Sequence, residues 1–310
     1  MGVKLLVTLV GGMTLAVLLT SSVCRAERPQ SSRQNAGGWQ TDVALAPVVQ
    51  NDSALDRGGD IAIRGAELQI GFEKRWGRFI SGGLTLNYRH TRFDFEQAAA
   101  FQESAPWDNI HAAGLAARLE WRPDRSWSLM VRPSLEFARE QGASWDDADV
   151  AGVAVTLSKR FGRRLSLGVG AAASRGLEED EVYPMVIVFW RIGERWRLAN
   201  PFRPGPTSPA GLELSYRIND DLEGGFGTTY SSERFRLDDQ GPAPDGIGEM
   251  TALLSYLRLS RTMTDSFDLD LYAGIHWNGE VTLEDENGRE LTDVGYDPGA
   301  VIALSLTNRF

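Results

Sequence analysis

The end of the chain alternates between apolar and polar side chains. Ile302, Leu304 and Leu306 take the even positions, while Ser305 and Thr307 take odd positions beside them. Successive side chains of a β-strand point to opposite faces, so a period of two predicts a strand with one apolar and one polar face. Such a strand separates an apolar environment from a polar one.

The same alternation recurs along the chain and predicts fourteen strands. They are 39–49, 60–75, 79–95, 108–121, 127–139, 149–161, 164–175, 183–192, 196–203, 210–218, 222–237, 249–262, 267–279 and 295–310. Twelve is the alternative count, because the segment 196–203 is short and four prolines lie in or after it. After residue 26, no stretch of the chain reaches the 18 consecutive apolar residues that a membrane-spanning helix needs.

Short and long connections alternate between these segments. The short ones are 77–78, 123–126, 162–164, 193–195, 219–221 and 263–266. The long ones are acidic and lie near 96–107, 140–149, 176–183, 238–248 and 279–297. Barrels of bacterial outer membranes have short periplasmic turns and long extracellular loops. The pattern therefore predicts an all-β fold, a transmembrane antiparallel up-and-down β-barrel of about 14 strands.

Aromatic residues concentrate beside the short turns. They are Trp76, Phe79, Trp121, Trp127, Phe161, Trp190, Trp196, Phe267 and Phe310. Aromatic side chains favour the headgroup zone of a bilayer, whereas a soluble β-sandwich would scatter them through strand interiors. The placement favours a barrel whose short turns lie at one membrane interface.

Strand parity assigns a set of charged residues to the barrel lumen. These candidate lumen-lining residues are Arg89, Arg118, Glu120, Arg132, Glu136, Glu213, Arg217, Asp268 and Asp270. A set of mixed sign has two interpretations: a polar pore, or a ladder of paired charges that fills a narrow barrel. The segment 185–190 is apolar on both faces, and the segment 253–257 nearly so. Either part of the lumen is apolar there, or another segment packs against it.

The N-terminal region predicts secretion. Lys4, an apolar run to Leu19 and small residues before Ala26 predict a signal peptide over 1–26, followed by a disordered lead over 27–38 and the barrel over 39–310. Cleavage after Ala26 would remove Cys24, the sole cysteine. A lipoprotein, the alternative, would want a small residue where Val23 stands. The net charge of −10 argues against a nucleic-acid partner.

No pattern for catalysis, a metal or a cofactor emerges. His276 begins a sequence that faintly resembles the His-x-Ser-Asn of outer-membrane phospholipases, but Asn278 stands in place of the nucleophilic serine. The other histidines, His90 and His111, are predicted to face outward. The acidic stretch 284–289 does not match an EF-hand loop. Its Asn-Gly pair instead predicts a hairpin tip that extends the last two strands above the membrane.

The signal, the alternation and the terminal Phe310 together resemble single-chain outer-membrane β-barrel proteins of Gram-negative bacteria, and the stretch 196–237 looks like uncharacterised barrel families. The resemblance implies outer-membrane location, contact with lipid, and transient contact with periplasmic chaperones and the barrel assembly machinery, with Phe310 as assembly signal. The mixed charges of the lumen and the negative net charge favour a small passive, porin-like channel for small polar solutes. A non-conducting structural or adhesive barrel that acts through its acidic loops is the alternative, and a lipid-modifying enzyme is a weaker third.

Overall fold

Fifteen β-strands dominate the structure, a computed structural model that describes residues 38–101 and 105–310. They are β1 (Gln40–Ala54), β2 (Asp60–Trp76), β3 (Ile80–Glu96), β4 (Asn109–Trp121), β5 (Trp127–Glu140), β6 (Asp149–Phe161), β7 (Leu165–Gly176), β8 (Glu179–Ile192), β9 (Trp196–Ala199), β10 (Gly211–Arg217), β11 (Leu222–Arg236), β12 (Ile247–Thr262), β13 (Phe267–Glu284), β14 (Glu290–Tyr296) and β15 (Gly299–Arg309). One 3₁₀ turn spans Ala99–Phe101. In this described part, no helix is long and apolar enough to cross a membrane. The predicted signal peptide, Cys24 and the lead up to residue 37 lie outside it.

Fourteen of the strands close into an antiparallel barrel. Strands β1 to β13 pair in chain order, and β15 pairs with both β13 and β1. The closing seam runs from Asp42 opposite Arg309 to Gln50 opposite Val301. Although β9 has only four residues, it pairs with β8 and β10. The predicted fold and the count of fourteen are confirmed, and the alternative of twelve is wrong.

The last predicted strand is interrupted. Strand β14 pairs with the part of β13 nearer the long loops, the upper part, and β15 pairs with the part nearer the short turns, the lower part. Pro298 separates the two and has no N–H to donate to a ladder. The β13–β14 hairpin turns at Asn287 and Gly288, where Gly288 has a φ of 74°. The predicted hairpin tip is therefore present.

The predicted long connection at 176–183 is wrong. Strand β8 already begins at Glu179, so Leu177 and Glu178 alone join it to β7. Their φ values are 49° and 63°, and positive φ at both central residues is the geometry of a type I′ hairpin turn. The sequence lacks the Asn-Gly signal of such turns. The buried side chain of Leu177 packs with Val150 and Ile247, which compensates for the unfavourable backbone.

The outward face of the strands is apolar and exposed. Leu84, Leu86 and Tyr88 on β3 are each 45% exposed, whereas Thr85 between them is buried. The same alternation holds on β4, where Leu115 is exposed and Ala116 is buried. An apolar exterior of this kind would be costly in water but is what a barrel presents to lipid.

Exposed aromatic rings form a girdle at the short-turn end of the barrel. Its members are Trp39, Trp76, Phe79, Trp121, Trp127, Phe161, Trp190, Trp196 and Phe310. Lys159 lies over the ring of Trp127 at 4.9 Å, and Arg78 lies over Phe79 at 4.4 Å. Cationic side chains beside aromatic rings suit the lipid headgroup level.

The opposite end of the barrel contains an apolar core. Trp107 and Phe101, from the connection between β3 and β4, are buried against Phe93 and Phe235 of β3 and β11. The Trp107 and Phe235 ring centroids lie 5.0 Å apart. Strand β11 also forms a parallel main-chain bridge with β5, a non-neighbouring strand, at Arg236 and Arg139. The barrel is therefore pinched at its long-loop end.

Candidate functional site

The inner face near the short turns carries a first group of charges, on β2 and at the end of β4. Arg118 donates to Glu73 at 2.7 Å and to Glu120 at 3.2 Å. Glu120 also accepts from Arg122 at 2.8 Å and from the Ser128 hydroxyl at 2.5 Å. Strands β2 and β4 are not neighbours, so the Arg118–Glu73 pair crosses over β3 on the inner surface.

A second group surrounds Arg258 of β12, whose side chain is fully buried. Its guanidinium donates to Glu213 at 2.6 Å, to Glu223 at 2.7 Å and to Asp270 at 3.1 Å. The Tyr256 hydroxyl donates to Glu213 as well, at 3.1 Å. Charge-assisted hydrogen bonds of this kind are the strong ones, and here they tie together four strands.

Residues 200–210, which join β9 to β10, fold into the lumen, and we call them the inserted loop. Arg203 of this loop lies 3.3 Å from Asp270 and 3.5 Å from Glu223. Gly205 packs against Tyr272 so closely that a β-carbon there would lie 3.3 Å from the ring. The loop therefore extends from β9 toward β13 and occupies part of the barrel interior.

The inserted loop explains why the segment 185–190 is apolar on both faces. Phe202 and Ala210 pack against the inner side chains of β8, namely Tyr183, Met185 and Ile187. Of the two predicted interpretations, the second holds for this strand: another segment packs against it. The inner face of β12 instead joins Leu254 and Tyr256 to Tyr272 and Val301 in a separate apolar cluster.

A third group of charges lies toward the long-loop end. Arg89 contacts Glu233 at 3.1 Å and Glu136 at 3.9 Å. Because Arg89 belongs to β3 and Glu233 to β11, this ion pair spans the interior. A cavity of about 30 Å³ remains beside these residues, room for about two water molecules. Little free space therefore remains in this part of the polar interior.

Two further arginines bind the long-loop ends of the strands together. Arg234 contacts Glu249 at 3.0 Å and Glu284 at 2.8 Å. Arg236 lies 3.2 Å from Glu178 and donates to the main-chain carbonyl of Asp147 at 2.9 Å. Part of the predicted acidic loop surface is thus bonded to arginines of the barrel.

The remaining candidates have varied environments. Arg132 is 4% exposed. Asp268 contacts Arg309 at 2.5 Å and accepts from Thr262. Arg217 is exposed at the last position of β10, at the mouth of the barrel. The predicted set thus divides among several charge groups and does not converge on one site.

Several interior charges were missed by the sequence analysis. Arg258, Glu223, Arg197 and Arg203 all belong to the second group. Arg258 was missed because β12 appears apolar on both faces, although its parity follows the inward Tyr256 and Ser260. No periodic signal could identify Arg203, which lies in a loop.

The histidines do not form a catalytic arrangement in the described residues. His276 Nδ1 lies 2.6 Å from the Gln50 Oε1. His90 and His111 stack at 4.8 Å, and His111 also bonds the Tyr88 hydroxyl at 2.8 Å. Within the described part of the chain, no group of three His, Cys, Asp or Glu side chains could hold a metal ion.

A closed barrel of fourteen strands with an apolar exterior, an aromatic girdle and a charged interior defines a transmembrane β-barrel, the architecture of bacterial outer-membrane proteins. The chain belongs to the family described as "Domain of unknown function (DUF6268)", whose model matches residues 65–298. No curated protein matches the sequence.

Several solved structures are similar to the chain. The COG4313 outer membrane channel from Pseudomonas putida F1 has a TM-score of 0.49 and 10% identity, over 92% of this chain and 100% of that one. The translocator domain of autotransporter NalP from Neisseria meningitidis has a TM-score of 0.36 and 12% identity, over 89% and 90%. The KdgM porin has a TM-score of 0.38 and 8% identity, over 87% and 99%.

Proposed function

We propose that the protein is a passive channel of the outer membrane for small polar solutes. The observation that carries the proposal is the inserted loop. A barrel of about eight strands is filled by its own side chains, and one of 16 to 18 strands holds a water channel. A barrel of fourteen strands lies between these limits and leaves some free space in its interior. In this protein residues 200–210 occupy part of that space. A loop folded inward from the wall constricts a passage that the strands alone would leave wider.

Single-channel recording in a planar bilayer tests this proposal. We expect small, discrete conductance steps from the folded protein, because the charged groups leave only a small cavity beside Arg89 and Glu136. Silence across a range of salts and voltages would favour the alternative of a structural or adhesive barrel. That alternative is weakened by Glu178 and Glu179, acidic loop residues that contact Arg236 and Arg234. The proposal includes no enzymatic step.

The charge of the lumen should set the ion selectivity of the pore. Arg118→Ser removes the cation between Glu73 and Glu120, so we expect a shift toward cations. The reversal potential in a salt gradient measures it. Leu86→Ser is the matched control on the lipid face: it should weaken membrane insertion and leave selectivity unchanged. An unaltered reversal potential in Arg118→Ser would place the ion path elsewhere.

The proposal includes export by the predicted signal peptide and insertion by the barrel assembly machinery. Phe310 is 74% exposed in the girdle, and its main chain exchanges hydrogen bonds with Thr41 of β1 at 2.8 and 3.3 Å. Phe310→Ala keeps both bonds and removes the ring. We expect precursor to accumulate in the periplasm, while inserted protein keeps its conductance. Fractionation and immunoblotting measure this, and wild-type membrane levels would remove the assembly role from Phe310.

A further inference from the structure

The wall of the barrel is incomplete between β8 and β10. Strand β8 has 14 residues and β11 has 15, but β9 between them has four and β10 has seven. The ladder between β8 and β9 runs from Ile192 opposite Trp196 up to Phe189 opposite Ala199. Above it the chain leaves the wall as the inserted loop. We call the gap above β9 the wall window.

A cavity of about 730 Å³ fills the wall window. Its lining takes residues from both faces of β8: Val186 is 63% exposed toward lipid, whereas Met185 and Ile187 are buried on the inner side. Leu212 and Phe226, also exposed, complete the outer side. The cavity therefore borders residues of both faces of the wall, and the inserted loop covers its inner side.

The window lies at the depth of the hydrocarbon layer. Trp190 marks the girdle on β8, and Pro184 lies six residues above it. At about 3.3 Å per residue this is about 20 Å along the strand, or about 15 Å of height for a strand tilted by about 40°. The apolar band of such a barrel is about 25 Å tall. Lipid chains therefore face the opening.

An open sheet edge at this depth normally leaves backbone groups unsatisfied, at several kcal/mol each. The main-chain N–H of Arg191 in β8 donates to the carbonyl of Arg164 on the β7 side. Main-chain N–H groups alternate along a strand. The odd-numbered ones of β8 therefore face β7, and the even-numbered ones face the window. One of these is Pro184, which has no N–H to satisfy. On the opposite edge Pro209 has none either. Both edges thus carry proline, the residue suited to an edge that stays open.

Asn200 bonds several of the other groups at the rim. Its side-chain oxygen accepts from the Val188 N–H at 2.7 Å, and its amide nitrogen lies 3.2 Å from the carbonyl of Val186. Across the gap, the same nitrogen lies 3.2 Å from the carbonyl of Pro209 and 3.0 Å from that of Gly211. One amide side chain thus takes the place of some of the missing backbone rungs.

The lining selects an apolar ligand. Among the described residues that line the window there is no charged side chain, in contrast to the cavity beside Arg89, Glu136 and Arg234. Ligand cavities typically hold about 300–1,000 Å³ and are mostly apolar. From these observations we propose that the wall window is a lateral passage through which small, largely apolar solutes move between the barrel interior and the bilayer. It is separate from the axial polar route.

The inserted loop controls the inner side of this passage. Phe202 and Ala210 pack against Met185 and Ile187, directly behind the cavity. A larger side chain at Ala210 would fill the window, and a smaller one at position 202 would open its inner side. We therefore expect the two substitutions to have opposite effects on the rate at which an apolar solute enters.

Uptake of N-phenyl-1-naphthylamine, a fluorescent apolar probe, tests the proposal in cells that express the protein. We expect faster entry than in vector-only cells, a return to the vector-only rate with Ala210→Trp, and an increase above wild type with Phe202→Ala. Ala117→Trp, on the lipid face of β4, is the matched control and should take up the probe like wild type. Rates are divided by the folded amount, read from gel mobility with and without boiling.

Leu212→Trp gives a second block of the window from its outer side, for the case in which Ala210→Trp yields little folded protein. Equal uptake by wild type and either blocked variant overturns the lateral passage. This outcome is independent of the axial channel, because ion conductance is measured separately. If the protein conducts ions and the blocking substitutions leave probe uptake unchanged, only the window is refuted. If the substitutions lower probe uptake in a protein that conducts no ions, only the axial channel is refuted.

Discussion

Shortening the inserted loop raises the single-channel conductance severalfold. The change replaces residues 203–207 by two glycines and keeps Asn200 and Ser208, which bond the wall at Val188 and at the carbonyl of Tyr230. It removes Arg203, whose guanidinium spans the interior to Asp270. Water and ions then occupy the space that the loop filled, and the narrow path widens.

The matched control shortens a loop outside the barrel. Removing residues 286–288 at the tip of the β13–β14 hairpin changes a turn of similar size that lies above the lumen. Conductance should stay at the wild-type value there. Both proteins are first verified as folded by gel mobility. An unchanged conductance in the shortened inserted loop would mean that residues 203–207 do not lie in the ion path.

Arg258→Met destabilises the barrel more than any other single substitution of an interior charge. Its group contains three arginines (Arg197, Arg203 and Arg258) and three acids (Glu213, Glu223 and Asp270), so it is neutral overall. Removing one buried partner leaves an uncompensated charge at a cost of about 3–5 kcal/mol. The urea midpoint of unfolding, followed by loss of the folded gel band, measures the effect.

Charge balance, and not the loss of a particular hydrogen bond, is the cause in this account. The double variant Arg258→Met, Glu213→Met restores neutrality and should recover most of the midpoint, since a buried ion pair replaced by apolar residues is often neutral for stability. Arg217→Met, at the exposed end of β10, should leave the midpoint unchanged. A double variant as unstable as Arg258→Met would contradict the argument.

The sequence predicts the barrel well because lipid and lumen demand opposite side chains. A charge in contact with lipid at the midplane costs about 2–4 kcal/mol, so Leu84, Leu86 and Tyr88 can take only one face. Strand β6 has the predicted ends, at Asp149 and Phe161. Where both faces of a strand are apolar, as at Met185, that constraint is lost, and parity no longer assigns the inner side chains.

The interior arrangement could not be predicted from local pattern. Arg89 and Glu233 are far apart in sequence, and their contact depends on the curvature of the closed barrel. Strand β9 was predicted to run to residue 203 but ends at Ala199, because the side chain of Asn200 takes the place of the next rungs. The inserted loop and the window both follow from that early end.

The aromatic girdle has a consequence for how the barrel responds to membrane thickness. Six of its members are tryptophans, and all lie at the short-turn end, so one interface is held at a fixed level. At the other end the strands are joined by Trp107, Phe235 and their neighbours into a core that does not require lipid. A thinner or thicker bilayer therefore changes its contact with the wall at the long-loop end, while the short-turn end keeps its depth in the membrane. We therefore expect hydrophobic mismatch to be absorbed mainly at the long-loop end.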